Sequence, residues 1–478
     1  MCLIEIELLV NSFKGSASAS EWIATFSCYI AAIFTPICVY WISPYSFYLN
    51  FEDYPKLAPH ELVAMISGTD IGSGLFCIPV GILAQRYGRK KVMLLSGVLG
   101  VAVWLITIFT DHIVALYIAR LLQGVCIAIV NIISPVYVAE ISKAKRRGTL
   151  CGFYTVFWNL GILYAFISAQ YLPFKTYLLC FIALPIIFSF TFILMPESPY
   201  YYFMKNNPEK AKESLQWLRH YKDVEEIEED VQKDSRDVGS WKELIATKKN
   251  RRALLIVLIV CFSRYLVGTT AIIAYSDTIL TKAGQNIFTM NEQLIGIVLL
   301  FTICSAVASF FSDIVGRRKL LIHSLIGTAI SNAMIALFFV LLELTSLQIT
   351  SFGWIIYFCI YGNCIFTTIG LGQLMPTVSA EFFPSHTRIL GGIITNLLAI
   401  LFSYIQLYTF PIIAAEIGIY FNFIIFGAMA TIGYIFVTIY VPESAGKTLA
   451  EINQVVKDIS LCSALFLEKF TLKNIRCP

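Results

Sequence analysis

The chain has 478 residues, of which 58% are hydrophobic and 14% charged, with a mean hydropathy of +0.74 and a formal net charge of +4. A water-soluble protein cannot wrap that much apolar surface in a polar skin, so the solvent must be lipid. The small positive balance reads as membrane topology, and no basic face or recognition motif points to nucleic acid.

At roughly 20 residues per crossing, the chain supplies about twelve spans. Glu5 and Glu7 stand where a secretory leader carries basic residues, so the first span is expected to act as the insertion signal. Spans are expected near Trp22–Trp41, Leu62–Ala84, Val92–Thr110, Ile113–Ile141, Leu150–Tyr171 and Tyr177–Met195. The polar stretch Pro196–Arg252 follows, in which Ala211, Leu215, Leu218, Val224, Ile227 and Val231 recur at helical spacing. The second set is expected near Ala253–Leu280, Leu294–Ile314, Leu320–Leu342, Phe352–Ser379, Ile389–Ile413 and Ile417–Tyr440. Backbone groups in lipid must pair within their own segment, so every span is a helix. The domains expected are a bundle over residues 1–195, a helical linker over 196–252, a second bundle over 253–441 and a tail over 442–478.

Charge fixes the orientation. Arg86, Arg89, Lys90, Lys91, Lys143, Lys145, Arg146, Arg147, Arg317, Arg318, Lys319 and Arg388 fall on one side of the bilayer. The other side holds Lys56, Lys175 and Lys282, with Asp111, Glu292 and Glu416. The first side, and with it both termini, is expected in the cytoplasm. Thirteen scattered cysteines form no CxxC pair and no cluster with histidine, so they read as small buried hydrophobes.

The sequence repeats itself. The loop Gly81 to Lys91 has a counterpart in Asp313 to Lys319. Glu140 and Arg147 are spaced like Glu381 and Arg388, and Pro196-Glu197-Ser198 returns as Pro442-Glu443-Ser444. Duplicated bundles of this kind place their function between the halves. These motifs, with Pro135-Val136-Tyr137-Val138-Ala139-Glu140 and Val441 to Leu449, resemble the sugar porters of the major facilitator superfamily. Tyr40 to Pro44 and the Ala283-Gly284 region are similar to the insect-type facilitated trehalose transporter branch. The resemblance implies an all-α membrane protein of twelve transmembrane helices in two pseudo-symmetric six-helix bundles. The bundles would rock about a central cavity.

It also implies a latch on the basic side, formed by Arg86, Arg89, Arg120, Glu140, Arg147, Glu197, Asp313, Arg317, Glu381, Arg388 and Glu443. Gln85 stands where the family has Asp, so the first-half latch is expected to be weaker than the second, which keeps Asp313. The family's sugar-binding positions are largely altered. They fall on Thr155, on Arg264-Tyr265 and Thr270, on the run Gly372 to Pro376 with Gln373, and near Ala399. Thr155, Arg264, Tyr265, Thr270 and Gln373 are therefore the candidate solute contacts. A charge near mid-membrane needs a partner or water, and Asp70 is a candidate partner for Arg264. Asp277 reads as solvated near the outer mouth, and His323 as structural. Pro376 and Gly372 are hinge candidates. Tyr29 to Ile42 holds no carboxylate, which favours facilitated diffusion over proton symport.

Three readings stay open. The first is a monomeric plasma-membrane uniporter for a small sugar, trehalose or a hexose. The second is a carrier of another, anionic solute held by Arg264. The third is a non-transporting sensor that kept the scaffold. No enzymatic chemistry and no cofactor or metal is expected, since nothing resembles a phosphate loop, a metal site or a nucleophile–base pair.

Overall fold

The computed structural model describes residues 17–42, 59–110, 112–218, 247–284, 290–345, 352–384 and 387–458. Lys56, Asp111, Val224, Ile227, Val231, residues 43 and 44, and the side chain of Asp277 fall outside them. The regular structure among the described residues is helical. The first half contains α1 (Ala17–Tyr40), α2 (Pro59–Tyr87), α3 (Arg89–Phe109), α4 (Ile113–Ile141), α5 (Arg147–Tyr171) and α6 (Phe174–Phe192). Two short helices follow, α7 (Pro199–Met204) and α8 (Pro208–Leu218).

The second half begins with α9 (Lys248–Leu266), α10 (Thr269–Ala274) and α11 (Ser276–Lys282). It continues with α12 (Met290–Val315), α13 (Arg317–Leu344) and α14 (Trp354–Thr367). A π turn (Thr368–Gly372) leads into α15 (Gln373–Glu381), followed by α16 (Arg388–Glu416), α17 (Ile419–Tyr440) and α18 (Leu449–Asp458). Among the described residues, twelve segments are long and apolar enough to cross a membrane. Their outer faces carry exposed large apolar side chains such as Leu75, Phe190, Ile314 and Phe358, which only lipid solvates without cost.

Two spans depart from the uninterrupted helices expected. The seventh breaks at Val267–Gly268, where Gly268 takes φ +95°. That left-handed turn suits glycine, and Phe426 closes over it so tightly that a Cβ there would lie 2.3 Å from the ring. The carbonyl of Val267, freed by the break, accepts from Asn332 Nδ2 at 3.1 Å, and Asn332 Oδ1 accepts from Asn363 Nδ2 at 3.0 Å. On the far side of the break, the Ala271 amide donates to Gln406 Oε1 at 3.2 Å. The tenth span carries the π turn, whose Leu371 amide donates to Ser324 Oγ at 3.2 Å. Both interruptions sit in protein contacts, as irregular backbone at membrane depth requires.

The halves meet where α5 runs along α12 and where α2 and α4 run along α16. The packing is uneven along the membrane normal. At the end bearing the basic loops, one core is common to both halves, with Tyr137, Ala139 and Leu150 beside Val378, Phe383 and Ile389. At the opposite end each half has its own core, around Trp41, Trp104 and Phe181 in the first and around Ile272, Phe339 and Phe410 in the second. The halves touch again in a small cluster of Ile162, Phe166, Leu294 and Val298. The ten cysteines described are free thiols, eight of them buried. After Pro442 only α18 follows among the described residues, and it packs on α9.

Candidate gate and solute path

The basic end is built twice on one plan. Gly88, at φ +101°, turns the chain so that the first amides of α3 face Glu197. A helix start leaves amides unpaired and carries partial positive charge, which a carboxylate satisfies. Glu197 accepts from the Arg89 amide at 3.0 Å and the Lys90 amide at 3.1 Å. The Arg89 side chain then grips Glu140, through Nε at 3.1 Å and Nη2 at 3.0 Å, and Ser198 Oγ donates to the same carboxylate. Burial lifts the Glu197 carboxyl above the ordinary glutamate range, against the opposing pull of the Ser198 amide, the Arg89 cation and the Lys90 and Arg89 amides.

The second half repeats each part. Gly316 at φ +97° opens α13, and Glu443 accepts from the amides of Arg317 at 2.9 Å and Arg318 at 3.2 Å. The Arg317 guanidinium pairs with Glu381, with Asp313 at 3.0 Å and with Ser444 Oγ at 3.2 Å. The sequence repeat is thus a repeat of contacts.

At this end charged side chains cross between the halves. Arg388 Nη1 donates to Glu140 at 3.2 Å, and its cation lies over the Tyr200 ring. Arg147 reaches Glu381 at 4.0 Å while bonding the carbonyls of Ala139 and Lys447. Asp313 caps α5, accepting from the amides of Gly148 at 3.1 Å and Thr149 at 2.7 Å and from Thr149 Oγ1 at 2.8 Å. Its counterpart Gln85 leaves Nε2 buried without a partner. Arg86 is exposed, and its carbonyl accepts from Tyr201 Oη.

Arg120 does not belong to this cluster. It lies on the same helix as Glu140 but twenty residues earlier, about 30 Å along the axis. There its buried guanidinium bonds the carbonyls of Met65, Cys38 and Ile66 and the Gln123 side chain, beside the Trp41 ring. It ties α1, α2 and α4 together at the opposite end.

The candidate solute contacts separate into two groups. Thr155 Oγ1 donates to the Gly372 carbonyl at 3.2 Å, across the halves. Arg264 lies beside the same glycine: a Cβ there would be 3.8 Å from Nε. Its cation stands over Tyr265, and Nη1 is buried without a partner. The ion pair with Asp70 is not formed, so that expectation fails. Tyr265 and Thr270 are half-buried near the break in the seventh span.

Gln373, the other candidate solute contact on this span, is fully buried. It donates to Ser309 Oγ at 2.6 Å and presses on Gly152 in the seam between α5 and α12. The π turn just before it changes the helix register and carries the side chain there. His323 is exposed, its Nδ1 paired with the Lys319 carbonyl. Among the described residues, no group of three metal-ligating side chains occurs.

Sequence reasoning missed one polar chain altogether. Tyr154 Oη donates to Asn131 Oδ1 at 2.6 Å, Asn131 Nδ2 to Asn396 Oδ1 at 3.2 Å, and Asn396 Nδ2 to Ser73 Oγ at 3.0 Å. The signal was present, since Asn131 and Asn396 are lone amides inside apolar runs.

The model of the family described as sugar (and other) transporter matches residues 41–456. The chain belongs to that family. Membership in a transporter family sets it apart from enzymes. Among relatives, the facilitated trehalose transporter Tret1 of Anopheles gambiae is 29% identical over 382 residues, covering 78% of this chain and 48% of the mosquito protein. The match thus spans about half the mosquito protein's length. Among solved structures, the proton:xylose symporter XylE bound to 6-bromo-6-deoxy-D-glucose superposes with a TM-score of 0.80 at 18% identity, covering 92% of this chain and 100% of that one. The inward-open conformation of the xylose transporter XylE from E. coli gives 0.63 at 18% identity with the same coverage. The fold is that of the major facilitators, in a multi-pass membrane protein.

Proposed function

We propose that the chain is a facilitative carrier of a small sugar, trehalose or a hexose, working by alternating access in the plasma membrane with both termini in the cytoplasm. The observation that carries this reading is the pair of reciprocal ion pairs, Arg388 with Glu140 and Arg147 with Glu381, joining two equivalent halves at the basic end. By the positive-inside rule that end is cytoplasmic. A carrier needs a face that is held shut and still opens. Both pairs are buried, where the cost of desolvating the charges offsets much of their attraction. A few such contacts bias a two-state equilibrium without freezing it. The family supports sugar as the cargo, and the poorer superposition on the inward-open structure supports a basic face that is closed here. The absence of a carboxylate between Tyr29 and Ile42 supports uniport.

Arg264 favours a second reading, an anionic solute, because its buried Nη1 has no partner among the described residues. Uptake into proteoliposomes of the purified chain separates the two. Flux of labelled trehalose or glucose supports the first reading. Flux of an organic anion that Arg264→Gln abolishes supports the second. Flux of neither leaves a sensor.

A further inference from the structure

The helices α4 and α16 run antiparallel and are joined at two levels. The lower rung is Glu140 with Arg388. Asn131 precedes Glu140 by nine residues and Asn396 follows Arg388 by eight, which places both about 12–14 Å deeper on their helices. There they form the second rung at 3.2 Å. Between the rungs Gly392 lies flat against Ile132. The upper rung is extended on both sides, to Tyr154 on α5 and to Ser73 on α2, so four helices from both halves share one polar chain.

The two rungs differ in chemistry. The lower rung is ionic and lies near the cytoplasmic surface. The upper rung is neutral, and each of its groups both gives and accepts hydrogen bonds. A carboxamide has two N–H bonds to give and two lone pairs; among the described residues the chain uses one donor and one acceptor of each amide. Asn131 is partly accessible, whereas Asn396, Ser73 and Tyr154 are buried. A vicinal pair of hydroxyls offers the same donors and acceptors as the rung itself. Such a solute replaces the Asn131–Asn396 bond at little net cost, because a bond exchanged for an equivalent one leaves no buried group unpaired. An apolar or purely ionic solute cannot make that exchange.

We propose that the Tyr154–Asn131–Asn396–Ser73 chain is the inner contact of the solute site, and that a polyhydroxylated solute unfastens the cytoplasmic face by taking the place of the Asn131–Asn396 bond. This rests on the carrier reading above and adds to it the residues that read the hydroxyls. Occupancy of the site is thereby coupled to opening. With the neutral rung satisfied by solute, one of the polar fastenings between the halves is gone, and the ionic contacts and the shared core carry more of the closure. The family's sugar-binding positions are largely altered in this chain, and two amides on α4 and α16 flanked by hydroxyls on α5 and α2 would take over their work.

The test uses the full chain in proteoliposomes, with labelled trehalose and glucose as probes. Uptake is measured against concentration, and hydrogen–deuterium exchange of the amides of residues 147–155 reports opening. In the wild type, sugar accelerates that exchange. Asn396→Ala raises KM by about two- to ten-fold, the range of one hydrogen bond; its exchange is fast without sugar and no longer responds. Asn396→Ser restores part of the response. Ser73→Ala, a milder change that keeps the chain foldable, raises KM in the same direction. Arg388→Gln breaks the ionic rung alone, so it changes the maximal rate and the basal exchange but retains the response to sugar. If Asn396→Ala and Ser73→Ala keep the wild-type KM and response, the proposal is wrong while the carrier reading stands. If the wild type carries neither sugar, both fall.

Discussion

Arg388→Gln and Arg89→Gln remove arginines that bind the same carboxylate, Glu140, from opposite sides of the interface. Arg89 belongs to the same half as Glu140 and makes two bonds to it; Arg388 comes from the other half and makes one. A hydrogen bond to a charged group contributes about 1.5–3 kcal/mol. Arg388 is fully buried, yet its Nε and Nη2 have no partner, so a standing desolvation cost offsets part of the gain. The net falls at the low end, about 1.5 kcal/mol, or roughly a tenfold shift toward an open basic face. Glu140 keeps Arg89 and Ser198 in that variant, so overall stability changes little. Arg89→Gln instead loosens one half internally and strips Glu140 of its two-pronged partner, lowering the melting temperature without favouring either face. Exchange at the Gly148 and Thr149 amides, which bond Asp313 across the interface, reads the first effect, and thermal unfolding in detergent reads the second. Faster exchange in Arg89→Gln with none in Arg388→Gln would refute the assignment of these two arginines to different jobs.

Gln85→Asp supplies the carboxylate that Asp313 supplies in the other half; if the repeat holds, its targets are the Ile389 and Leu390 amides, the counterparts of Gly148 and Thr149. A new cap of about 0.5–2 kcal/mol follows, seen as slower exchange at the start of α16 and a lower maximal uptake rate; unchanged exchange would contradict the equivalence of the two positions. Gly268→Ala puts a Cβ at 2.3 Å from the Phe426 ring in a left-handed turn, so a loss of at least about 1–3 kcal/mol is expected in thermal unfolding. Because burial raises the Glu197 carboxyl above its unfolded value, its contribution to stability is present below the unfolded glutamate pKa and is lost as pH rises through the folded one. Melting curves across that window should lose this slope in Glu197→Gln, and an unaltered slope would show that another group causes it.

The spans and the ionic cluster were legible in the sequence for one reason. Charges and unpaired backbone are so costly in lipid that their positions are nearly forced. Glu140, Glu381, Glu197 and Glu443 had few places to go, and the repeat supplied their partners. The serines of both Pro-Glu-Ser motifs were in view but read as landmarks, whereas Ser198 and Ser444 bond the cluster directly. Arg120 was misplaced although the spacing to Glu140 already told its depth. The break at Gly268 was not legible, and of the π turn at Thr368–Gly372 only its last residue, Gly372, was singled out, because what stabilises both comes from other helices: Asn332 and Gln406 for the one, Ser324 for the other. The burial of Gln373 just after the π turn, against Ser309 on α12, was equally invisible in the sequence.

The two caps on the basic face are unequal: Asp313 has three bonds into α5, while Gln85 has an amide nitrogen left idle. Unequal fastening means unequal yielding. As far as the caps decide it, a wedge of water entering from the basic end meets less resistance beside α2 and α16 than beside α5 and α12. The molecule should therefore swing like a door on one jamb, not part like a pair of curtains, and cargo should leave by the looser side.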